Sequence, residues 1–105
     1  AEQFQNDVLR PILKLQNDLL VAVFRRYMDK RKIRFDDLSP QKRQEQIAHS
    51  LSKDNRLRMT LLGTVIGHFT IEEYRSFLAH ESELTRRTME MMGERLGDQL
   101  GGEGV

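Results

Sequence analysis

Three histidines are the first residues in this sequence that could do chemistry. His80 is followed by Glu81, Ser82 and Glu83, so an imidazole stands beside two carboxylates. Neighbours on a helix point about 100° apart. Glu81 is therefore badly placed to work with His80, whereas Glu83, three residues on, shares its face. Metal sites in helical bundles draw on i,i+3 or i,i+4 pairs from more than one helix. His49 and His68 stand alone in their segments, and no His-Glu-x-x-His is present. Glu90, Glu94 and Asp98 form an i,i+4 acidic row, but no histidine joins it. The histidines read as surface or helix-end residues. Ser39, Ser50, Ser52, Ser76 and Ser82 lie in no nucleophile elbow. Gly63 and Gly67 fall inside a helical pattern rather than between a strand and a helix, so no phosphate loop is present. The sequence predicts no catalytic residue, no metal ligand and no cofactor.

The basic cluster is a better local signal. Arg25, Arg26, Lys30, Arg31, Lys32 and Arg34 place six cations within ten residues, interrupted among charged residues only by Asp29. Tyr27 and Phe35 lend aromatic faces. Such a patch can hold phosphate or an acidic partner. The competing reading is a solvated helix C-terminus, where cations suit the dipole, with Asp36 and Asp37 at hand to neutralise it. Arg56 and Arg58 would extend the patch if the fold brought them near. A protein partner is expected ahead of nucleic acid, since 17 basic and 16 acidic side chains leave a net charge of only +1. That balance gives no general pull toward polyanions.

These residues are carried by segments of helical period. Val8, Ile12, Leu15, Leu19, Ala22, Val23 and Tyr27 recur in steps of three and four along one face. Phe4 extends that face backward, which predicts a long first helix from near Glu2, disturbed at Pro11. Lys30 to Asp37 reads as a connection. Ser39-Pro40 is a start signal, a cap followed by a proline that needs no N–H. It opens a mostly polar second helix running to about Lys53. Asp54 or Asn55 caps a third helix to about His68. Its centre, Met59 to Phe69, is apolar nearly all round and should be buried. Gly63 and Gly67, four apart, suggest the close approach of a neighbouring backbone. Thr70-Ile71-Glu72-Glu73 is a capping box, and the fourth helix should run on from Ile71 to about Leu100.

A helix of that length spans roughly 45 Å at about 1.5 Å per residue, more than its shorter neighbours can cover. The uncovered far end predicts a homodimer contact at Met89, Met91, Met92 and Leu96. Residues 1–100 are expected to form one helical domain, with 101–105 as a flexible tail. No run approaches the ~20 apolar residues of a membrane span. The absence of cysteine rules out disulfides and thiolate sites, which is compatible with a cytoplasmic setting. At 38% apolar and 31% charged residues, the chain suits helices with broad solvated faces.

Leu9-Arg10-Pro11-Ile12-Leu13-Lys14, Gln16 to Leu20, and Ile66-Gly67-His68-Phe69-Thr70-Ile71-Glu72-Glu73-Tyr74 resemble an uncharacterised family of short all-helical bacterial proteins. Glu83-Leu84 and Arg95-Leu96 belong to the same pattern. Some members carry the label glyoxalase. Glyoxalase I is built from βαβββ units with His and Glu ligands on strands, and this sequence offers neither, so no functional residue is carried over. The expected architecture is an all-α bundle of four helices, two long (N- and C-terminal) and two short. The expected function is a non-enzymatic interaction or regulatory domain. The alternative is a metal-dependent or small-molecule enzyme built on His68, His80 and nearby carboxylates.

Overall fold

The structure, a computed structural model, describes residues 1–101. Among them the fold is all-α. A first turn, α1 (Glu2–Phe4), runs into a π-helical turn at Gln5–Leu9 and then α2 (Arg10–Leu15). These are followed by α3 (Asn17–Lys30), a 3-10 turn at Phe35–Asp37, α4 (Pro40–Lys53), α5 (Asn55–Ile66), α6 (Ile71–Ala79) and α7 (Glu81–Leu100). The expected tail lies outside the described residues except for Gly101, which caps α7 and is buried. Among the described residues, no helix is long and apolar enough to cross a membrane.

The four-helix expectation is corrected at two breaks. The first long helix is interrupted at Gln16, where φ is −95° and ψ is 10°. The disturbance expected at Pro11 lies one turn earlier. Pro11 has no N–H to give, and the Arg10 N–H reaches back five residues to the Gln5 carbonyl, a π-type bond. The fourth helix is divided at His80, with φ −137° and ψ 42°. The capping box at Thr70 forms as expected: Glu73 N–H donates to Thr70 Oγ1 at 3.0 Å and Thr70 N–H to Glu73 Oε1 at 2.8 Å. Ser39 caps α4 by accepting from the Lys42 N–H at 3.3 Å.

Helix α7 is the centre of the molecule. The N-terminal segment runs parallel to it, tied by Arg87 Nε donating to Gln5 Oε1 at 2.9 Å and by Asn17 Nδ2 donating to Gln99 Oε1 at 2.7 Å. Helix α4 lies antiparallel on another side. Gln44 Nε2 donates to the Gly97 carbonyl at 3.0 Å. A Cβ at Gly97 would stand 2.7 Å from Gln44 Oε1, so a larger residue there would push the Gln44 amide aside. Beyond the Gln16 break the chain leaves α7, and α3 packs antiparallel to α5. Tyr27 bonds Thr60 through their hydroxyls at 3.0 Å, and the Gln16 amide donates to His68 Nε2. Phe4, Phe69 and Phe77 close the N-terminal end as an aromatic cluster, with Phe69 and Phe77 centroids 5.4 Å apart.

Helix α5 is less buried than its composition suggests. Leu57, Leu61, Leu62 and Val65 face the core, but Met59 is 59% exposed. Among the described residues no backbone approaches Gly63; a Cβ there would meet nothing within 4 Å. The uncovered end of the fourth helix is also corrected. Because α6 turns away at His80, the remaining α7 is short enough for α4, α5 and the N-terminal segment to cover. Met91, Met92, Leu96 and Leu100 are all buried within a single chain.

Candidate interaction site

The cationic cluster forms where α3 ends. Its C-terminus is a Schellman motif: Ile33 N–H donates to the Met28 carbonyl at 2.9 Å and Lys32 N–H to the Asp29 carbonyl at 3.0 Å. This motif needs a left-handed residue at its turn, usually glycine. Here that residue is Lys32, with φ 57°. Three of the six cations are paired. Arg25 meets Asp36 at 3.2 Å, Arg34 meets Asp37 at 3.1 Å, and Arg31 pairs with Asp54. The first two pairs are the neutralisation by Asp36 and Asp37 that the sequence suggested. Both are well exposed and add little to stability. Arg26, Lys30 and Lys32 make no ion pair among the described residues. Lys30 and Arg31 flank the Tyr27 ring, 5.2 Å and 4.8 Å from its centroid.

Asp54 gathers further cations into this region. It is the N-cap of α5, and its Oδ1 accepts from the Leu57 N–H at 3.1 Å and from Arg31 Nη2 at 2.9 Å. The end of α3 is thereby held against the α4–α5 corner. A groove of about 470 Å³ results, lined by Arg31, Ile33, His49, Ser50, Lys53 and Arg56 among others. Lys53 and Arg56 have no ion-pair partner among the described residues. Of the two arginines proposed as an extension of the cluster, Arg56 joins it and Arg58 lines a different groove. Lys53 and His49 were not expected in this cluster. The available signal was Asp54, since a capping carboxylate beside a cation-rich helix end marks where the two can lock.

The chain matches no known family model, no curated protein and no solved structure. The chemistry of the site therefore rests on its own geometry.

The other candidates are dispersed. His49 is exposed on α4, His68 follows α5 beside Gln16, and His80 occupies the α6–α7 break. Among the described residues, no three or more His, Asp or Glu side chains are grouped so as to hold a metal ion. In the methionine cluster, Met91 is 6%, Met92 1% and Leu96 2% exposed. These three offer no surface to a second chain, and only Met89 reaches the outside, half-buried.

Proposed function

We propose that the protein is a non-enzymatic interaction domain that binds an acidic protein partner at the corner between the end of α3 and the α4–α5 turn. One observation carries this reading: the Arg31–Asp54 pair draws Lys53 and Arg56 into one groove with Arg31. Arg26 and Lys30 extend the positive surface along α3 by i,i+4 spacing. Lys32 supports it too, because a lysine there keeps a cation where glycine would relieve the backbone. Ile33 and Tyr27 give a partner apolar and aromatic surface beside the charge.

The test is affinity capture with the wild-type chain and a Lys30→Glu, Lys53→Glu, Arg56→Glu variant, with a duplex DNA titration at low salt alongside. An acidic protein held by the wild type and lost by the variant is expected, with no saturable duplex binding. Identical captured proteins would overturn the proposal. Duplex binding that falls steeply with salt and vanishes in the variant would move the site to nucleic acid.

A homodimer and a cytoplasmic setting belong to the same proposal. The surface that supports a dimer is the apolar side of α6, where Ile71, Tyr74 and Leu78 are 66%, 40% and 42% exposed. Light scattering that finds only monomer at high micromolar concentration would end that part.

A further inference from the structure

A second groove lies between α4, α5 and α7, and no residue lines both it and the cationic groove. Its volume is about 680 Å³, within the roughly 300–1,000 Å³ usual for small-molecule sites. Ala48, Leu51, Met89 and Gly93 give it an apolar bed. A Cβ at Gly93 would stand 3.3 Å from Leu51 Cδ1, so the glycine lets Leu51 pack closely against α7 beneath the groove.

Arg58 stands in the wall. It makes no ion pair among the described residues, and its Nε is buried without a hydrogen-bond partner. A donor stripped of water and left unbonded is costly, more so on a charged group. The nearby carboxylates do not relieve it. Glu90 is shared by Arg86 and Arg87 at 3.2 Å and 3.3 Å, and Glu81 lines the groove without pairing to Arg58.

We propose that this groove binds a small-molecule carboxylate with an alkyl or aryl body, its apolar part on Leu51 and Met89 and its carboxylate on Arg58. A hydrated inorganic anion would gain nothing from the apolar bed. A neutral hydrocarbon would leave the charge of the Arg58 guanidinium without a counter-charge. A carboxylate matches the planar donor fork of a guanidinium. The site is independent of the acidic-partner reading.

The experiment titrates the whole chain, labelled at its methionine methyl groups, with decanoate below its micelle concentration. Decanol and decyltrimethylammonium serve as the other two probes. A saturable shift of the Met89 methyl signal with decanoate is expected, with at least tenfold weaker binding of either control. Arg58→Gln should weaken decanoate at least tenfold. Ala48→Glu, at an exposed position, should do the same by placing negative charge beside the bed, and it keeps the test valid if the Arg58 variant misfolds. No saturable shift at Met89, equal affinity for the three probes, or wild-type affinity in either folded variant overturns the proposal. So does a Met89 shift produced by an acidic helical peptide and not by decanoate, which would give the groove to a protein.

Discussion

Arg31 and Asp54, 23 residues apart, form the pair that joins the end of α3 to the start of α5. The Asp54 carboxylate does two things at once, capping α5 through the Leu57 N–H and holding the guanidinium. Asp54→Ala removes both. The expected loss is about 1–2 kcal/mol, most of it from the cap, because the pair is partly exposed and screened. Urea denaturation measures this, and Arg31→Ala should cost clearly less.

Lys32 is the non-glycine residue with positive φ among those described. An L-residue with a Cβ pays a steric penalty in the left-handed region. Lys32→Gly should therefore stabilise the fold by about 1 kcal/mol, seen as a melting temperature higher by about 4 °C. It should also weaken the binding of an acidic partner, so stability and binding move in opposite directions. An unchanged melting temperature would show the conformation to be unstrained.

Gly63 lies inside α5 with open space where a Cβ would go. Gly63→Ala should raise stability by about 1 kcal/mol through helix propensity alone. A destabilised variant would reveal a backbone contact at this position.

Leu96 and Met89 separate core from surface on α7. Leu96 is 2% exposed, and Leu96→Ala should cost about 2–5 kcal/mol. Met89→Ala should cost less than about 1.5 kcal/mol, since Met89 is only half-buried. Neither substitution should change the mass found by light scattering. A mass that falls with Leu96→Ala while the chain stays folded would restore the contact first expected there.

Much of the local structure was legible because it is written in neighbouring residues. Ser39-Pro40 starts α4 and the Thr70–Glu73 box starts α6, since a cap needs only its own first turn. The breaks at Gln16 and His80 were not legible. The apolar period runs through both, and a one-residue interruption leaves the spacing on either side almost unaltered. The exposure of Met59 was missed for a related reason: composition reports how apolar a helix is, not how many neighbours it has.

The sequence by itself determined the all-helical class, the starts of α4 and α6, and the cation-rich end of α3, because each depends on contacts within a few residues. Only the tertiary structure decided the rest. It turned α6 away so that Met91, Met92 and Leu96 are buried by their own chain. It set Lys53 and Arg56 beside Arg31, and it left Arg58 without an ion pair among the described residues, beside an apolar bed. These outcomes depend on which helices meet, and residues distant along the chain settle that jointly when they close one core.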